Sequence, residues 1–133
     1  MTVQISSELL GRIVAEAVGS PDEICGLLFG TGKLIQVAEA CRNVASDTRR
    51  QFEIDPAALL AAHRAARADG PAIVGCYHSH PAGDAIPSLR DALDAEPNGW
   101  VWLIVGGNEE RVFRAGVDGA IHGRFDALEL APF

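Results

Sequence analysis

The chain has 133 residues, 48% of them hydrophobic and 22% charged, enough to bury one substantial core as a single domain over residues 1–133. Its formal net charge of -7, with no basic cluster, excludes a nucleic-acid binder that works by neutralising phosphates. No apolar run is long enough to span a bilayer, and the N-terminus lacks the basic and apolar regions of a signal peptide. Cys25, Cys41 and Cys76 are odd in number and far apart, so a reducing cytoplasm is expected rather than a disulfide framework.

Val3 to Ile5 reads as a short strand, followed by a helix capped at Ser6 or Ser7 and running to about Val18. Leu9, Leu10, Ile13, Val14 and Ala17 recur at helical spacing along it. Gly19-Ser20-Pro21 ends that helix, and Glu23 to Gly30 reads as a buried strand. Thr31-Gly32 turns into a partner from Lys33 to about Ala40. Arg42 to Arg50 is polar and reads as a loop, with a short strand expected at Gln51 to Ile54. Asp55 as N-cap and Pro56 at the first helical position then open a helix that Asp69-Gly70-Pro71 stops. His63 falls on that helix and reads as a surface or interface residue.

Ala72 to about His78 is apolar enough to be a strand buried on both faces. His78 and His80 are spaced i, i+2, so in a strand both imidazoles leave the same face. A Pro/Gly-rich loop from Pro81 to Pro87 follows, and then a short helix whose first turn carries Ser88 and Asp91. Two imidazoles and a carboxylate converging with room for water are the ligands of a catalytic zinc site. Taken by themselves, Ser88 and Asp91 equally form a helix-capping pattern, and Glu23 is an ordinary glutamate at a strand mouth. Cys25 and Cys76, in apolar runs, read as small buried hydrophobes. Trp100 to Val105 reads as another apolar strand, paired with Arg111 to Arg114 across the turn that begins at Gly106. Ala120 to Phe125 reads as a last strand, with His122 structural. The alternating tail from Asp126 to Phe133 is left to pair with a neighbouring strand or with another subunit, which keeps a homo-oligomer open. In sum the order of elements predicts an α/β domain, one mixed β-sheet flanked by helices.

The string His78-Ser79-His80-Pro81, six residues, then Ser88-Leu89-Arg90-Asp91 resembles the signature of the JAMM metalloproteases, also called the MPN-plus or JAB domain. The family further requires an upstream glutamate in a Pro-x-Glu-x-Cys-Gly-x-Leu context. Here Pro21-Asp22-Glu23-Ile24-Cys25-Gly26-Leu27 matches it. The resemblance, which covers nearly the whole chain, implies a curved sheet sandwiched between helices, similar in layout to the zinc deaminases such as cytidine deaminase. It implies one Zn2+ held by His78, His80 and Asp91, with Glu23 as general base and Ser88 as donor to the oxyanion. The implied substrate is an amide or isopeptide bond after the C-terminal Gly-Gly of a ubiquitin-like or sulfur-carrier protein, its tail added as a strand at an exposed sheet edge. A compact chain fits the prokaryotic stand-alone type best. Three other readings stand beside it. A RadC-type hydrolase of the same fold shares the look of the Pro-rich loop. A non-catalytic MPN-like scaffold would lack the ligands that are filled here. A zinc deaminase would need a Cys-x-x-Cys pair that this chain does not have.

Overall fold

Seven strands and three helices form in the order β1 (Thr2–Ile5), α1 (Ser7–Val18), β2 (Cys25–Gly30), β3 (Leu34–Cys41), α2 (Pro56–Arg67), β4 (Ile73–His80), α3 (Leu89–Asp94), β5 (Val101–Gly106), β6 (Glu109–Gly119) and β7 (Gly123–Pro132). They are described by a computed structural model covering residues 1–133. The mixed α/β reading holds, but the sheet is not an open one between helices. Its strands follow the order β1-β3-β2-β4-β5-β6-β7 and close into a barrel. Closure falls to β1, which runs parallel to β3 on one side and to β7 on the other. Val3 and Ile5 of β1 are completely buried, so the strand is held by its side chains as well as by its ladders. β7 absorbs the alternating tail, which therefore pairs within the chain.

Period-2 alternation divides the side chains of each strand between two faces. On one face Leu28, Tyr77, Leu103 and Val112 pack with Leu10 and Ile13 of α1. Ser6 caps that helix by accepting the Leu9 amide at 3.1 Å. Each fully buried Leu or Ile contributes about 2 kcal/mol, so α1 is fixed mainly by this stripe. The opposite face has two clusters. Leu27 and Phe29 meet Ala62 of α2 with Leu59 beside it, and Cys76, Trp102, Ile104, Phe113 and Phe125 pack together nearer the site. Asp55 caps α2 through the Ala57 amide and Pro56 opens it, as its sequence predicts. The three cysteines are free thiols, and no helix is long and apolar enough to cross a membrane.

Three local expectations change. Gln51 to Ile54 makes only an isolated bridge, Asn43 to Ile54: two backbone bonds, Val44 amide to Glu53 carbonyl and Asp55 amide to Arg42 carbonyl, flank it, and the Asn43 side chain takes up the Gln51 carbonyl and the Glu53 amide in place of further ladder bonds. β2 begins at Cys25, leaving Glu23 in the irregular approach to the strand. The expected strand from Ala120 to Phe125 is instead the end of a long β6–β7 hairpin, whose tip bends through Asp118 and His122 at φ 57° and 53°.

Candidate metal centre

β4 ends where its two histidines come together. His78 and His80 project from the face opposite Tyr77, and their Nε2 atoms lie 3.0 Å apart. Asp91, in the first turn of α3, places Oδ2 at 3.1 Å from His78 Nε2 and 3.2 Å from His80 Nε2. The pattern Ser88-x-x-Asp91 does form a capping box. The Ser88 hydroxyl accepts the Asp91 amide at 3.0 Å, and the Ser88 amide donates to Asp91 Oδ2 at 3.0 Å. The cap thus holds the carboxylate against the histidines, and the Ser88 hydroxyl proton is still free to donate elsewhere.

Glu23 completes the cluster: its carboxylate and the two ring nitrogens all lie within 4.8 Å of one another. Glu23 is placed by its backbone. Its amide donates to the Thr48 carbonyl at 2.7 Å, and its carbonyl accepts the Asn43 side-chain amide at 2.9 Å. Asn43 also donates to the Gln51 carbonyl at 3.1 Å. The polar loop from Arg42 is therefore a hydrogen-bonded collar around Glu23. On the other side, the Ile24 amide donates to Ser79 Oγ at 2.9 Å.

The donor set fits a divalent cation. His80 Nδ1 donates to the Asp84 carbonyl at 2.7 Å, which leaves the lone pair of a neutral ring on Nε2, facing the site. The edges of 3.0 to 3.2 Å between the two Nε2 atoms and Oδ2 are close to the edge of roughly 3.3 Å expected for tetrahedral zinc with bonds of about 2.0 Å. Glu23 Oε1 is buried with no partner, a costly state unless something polar occupies the space before it. His78 Nδ1 is likewise unpartnered. Phe52 stacks on the His78 ring at 4.3 Å between centroids, and Trp102 meets it edge-on at 5.7 Å.

Charge follows burial. Desolvation raises the Glu23 carboxyl to about 7, partly offset by His80. It also lowers His78, against the pull of Asp91, so that ring is neutral and able to act as a ligand. Burial would lower His80 too, but hydrogen bonds to Asp91 and to the Asp84 carbonyl raise it overall. For Asp91 burial favours the neutral acid, yet the two histidines and the Ser88 amide hold its carboxyl well below the usual carboxylate range. Beside the histidines lies a cavity of about 550 Å³ with Phe52, Ile54, Leu59, Trp100 and Trp102 in its walls and Arg90 among its polar residues.

All five sequence-derived positions, Glu23, His78, His80, Ser88 and Asp91, thus meet at one place. The supporting residues Asn43, Thr48, Phe52, Ser79 and Asp84 were not legible as such. Ser79 had a usable signal, since the middle residue of His-x-His must face the other side of the strand. The collar residues had none, because their contacts are made to backbone atoms far away in sequence.

A barrel that brings two histidines and two carboxylates together beside the end of one strand, with a tautomer-fixing carbonyl behind, offers the donor set of a hydrolytic metal centre. The chain belongs to the Prok-JAB family, the prokaryotic homologs of the JAB domain, whose family model matches residues 6–116. Among its relatives is a desampylase from Haloferax volcanii, 37% identical over 86 residues that make up 63% of this chain and 62% of the relative. A desampylase from Pyrococcus furiosus is 32% identical over 86% of this chain and 79% of its own length. A probable TtuB-protein conjugate cleaving protease from Thermus thermophilus is 37% identical over 57% of this chain and 51% of its own. The chain therefore spans less than two thirds of the Haloferax and Thermus relatives. The fold is also that of a JAB1/MPN domain protein from Archaeoglobus fulgidus, with a TM-score of 0.59 at 21% identity, covering 98% of each chain.

Proposed function

We propose that this chain, as a single domain over residues 1–133, is a zinc-dependent isopeptidase that hydrolyses the amide bond after the C-terminal Gly-Gly of a ubiquitin-like or sulfur-carrier protein. The observation that carries it is the convergence of His78, His80 and Asp91 with an unpartnered Glu23 oxygen aimed at the same space. The desampylase and conjugate-cleaving relatives support the substrate class. His78, His80 and Asp91 would hold the zinc, which when bound would supply Lewis acidity and bring the pKa of water to roughly 7. Glu23 accepts a proton from the attacking water and returns it to the leaving amine nitrogen, so water adds across the C–N bond and leaves a carboxylic acid and an amine, the second water proton passing from the acid to the amine to give carboxylate and ammonium. Its raised pKa, near neutrality, suits both halves of that transfer. Ser88 donates its hydroxyl proton to the oxyanion.

β1 covers β3 only at Leu34 and Ile35, so the rest of β3 to Cys41, paired with β2 alone, is a sheet edge at which an extended tail can add as a strand. The cavity walled by Phe52 and Trp102 offers apolar surface beside the site for the end of that tail. A reducing cytoplasmic setting goes with three free thiols. The likeness in layout to the zinc deaminases rests only on the mixed sheet with helices against it.

The test is zinc content by elemental analysis beside cleavage of a ubiquitin-like carrier with a C-terminal extension. About one zinc per chain, lost in His78→Ala, and cleavage lost in a Glu23→Ala variant that keeps its zinc, are the expected results. Folded wild-type protein that takes up no zinc would overturn the proposal.

A further inference from the structure

His122 lies beyond the residues matched by the family model, which end at 116. It stands at the tip of the β6–β7 hairpin with φ 53°, followed by Gly123 at φ 70°. The tip is firmly built. The Ile121 amide donates to the Phe125 carbonyl at 2.8 Å, the Phe125 amide returns to Ile121 at 3.0 Å, and Phe125 is completely buried. From this base His122 Nε2 donates to the Pro87 carbonyl at 3.0 Å.

That carbonyl belongs to the peptide unit joining Pro87 to Ser88. The amide at its other end, on Ser88, donates to Asp91 Oδ2 at 3.0 Å. Oδ2 is the oxygen that faces both histidine rings. A single rigid peptide plane thus has His122 on its oxygen and Asp91 on its N–H, and polarisation through the plane strengthens both bonds. The capping box holds this plane from the α3 side, and His122 adds a tether to its oxygen from a separate hairpin.

We propose that His122 is a positioning residue: through the 87–88 peptide it sets the direction of the N–H that holds Asp91 Oδ2 toward His78 and His80. The inference rests on the metal-site reading for its purpose, but its geometry is testable without metal. His122→Asn retains a residue tolerant of positive φ, while its amide is too short to reach Pro87. His122→Gln restores the reach.

Hydrogen exchange in the metal-free protein should quicken about tenfold or more at the Ser88 and Asp91 amides in His122→Asn, leave the α1 amides unchanged, and return most of the way in His122→Gln. Zinc affinity, read by competition with a chromophoric chelator, should fall about tenfold to a hundredfold in His122→Asn. Wild-type exchange at both amides in His122→Asn would overturn the inference, as would faster exchange with unchanged zinc affinity. Faster exchange in a protein whose wild type takes up no zinc would support the clamp and remove the metal reading instead.

Discussion

Ser79 and Ile24 are joined twice: the Ile24 amide donates to Ser79 Oγ at 2.9 Å, and the Ser79 amide donates to the Ile24 carbonyl at 3.1 Å. This pair pins the segment carrying Glu23 to the strand carrying His78 and His80, so the spacing between Glu23 and the two histidines is set on the face of β4 away from the site. Ser79→Ala removes one of the two bonds and leaves the half-buried Ile24 amide without its partner. The cost to stability is about 1–2 kcal/mol. Turnover is expected to fall about tenfold while zinc affinity stays at the wild-type level, because the ligands remain on β4 and α3. Equal losses in zinc affinity and turnover would show that Ser79 supports the strand end as a whole.

Glu23 gives the metal-free protein a distinct pH dependence. Its carboxyl is raised from 4.5 to about 7 by burial, so folding favours the protonated form. The stability that protonated Glu23 confers is fully present below about pH 4.5 and is lost as pH rises to about 7. The span corresponds to roughly 3 kcal/mol. Glu23→Gln, which stays neutral, should therefore be more stable than wild type at pH 8 without metal, and the advantage should vanish near pH 4. Denaturant titrations at the two pH values, with chelator present, give the comparison. An advantage independent of pH would rule out ionisation as the cause.

Gly106 ends β5 where the site loop crosses it. A Cβ there would stand 2.6 Å from the Gly83 carbonyl oxygen and 3.1 Å from that of Asp84, and the Asp84 carbonyl is what fixes His80 Nδ1. Gly106→Ala should therefore push the loop away and weaken zinc binding about tenfold. Gly116→Ala is the control, since a Cβ at that position meets nothing within 4 Å. Unchanged zinc affinity in Gly106→Ala would show that the loop yields without moving His80.

Ser88 is asked to cap α3 and to stabilise the oxyanion, and the two roles have separable magnitudes. Loss of the cap costs about 1 kcal/mol of stability. Loss of an oxyanion donor lowers turnover about a hundredfold or more at unchanged substrate affinity. Ser88→Ala should show both. A lower thermal midpoint with wild-type turnover would leave Ser88 as a cap only.

Local structure made part of the candidate site legible in the sequence, while Glu23 and Ser88 stood out from ordinary strand-mouth and capping residues only through the resemblance to the JAMM signature. His78 and His80 share a strand face, and Ser88 and Asp91 share the first turn of a helix, so their directions follow from periodicity. The helices were legible for the same reason, with Ser6, Asp55 and Pro56 marking their starts. Barrel closure was not, because pairing of Val3 with Leu130 depends on where two strands far apart in sequence lie, and no periodicity records that. His122 is the sharpest case. Its sequence reading as a structural residue of a last strand gives no hint of the partner, because only the hairpin tip of the folded chain brings it to the Pro87 carbonyl.

The parallel seam between β1 and β7 joins residues 2–5 to residues 129–132, contacts between the two extremes of the described chain. In kinetic terms such a seam is the most expensive in loop entropy and gains nothing until the intervening strands are laid down. The hoop should therefore shut last, after the antiparallel ladders around β4 have formed. A chain synthesised from its N-terminus holds β1 with only one of its two neighbours until the final strand emerges.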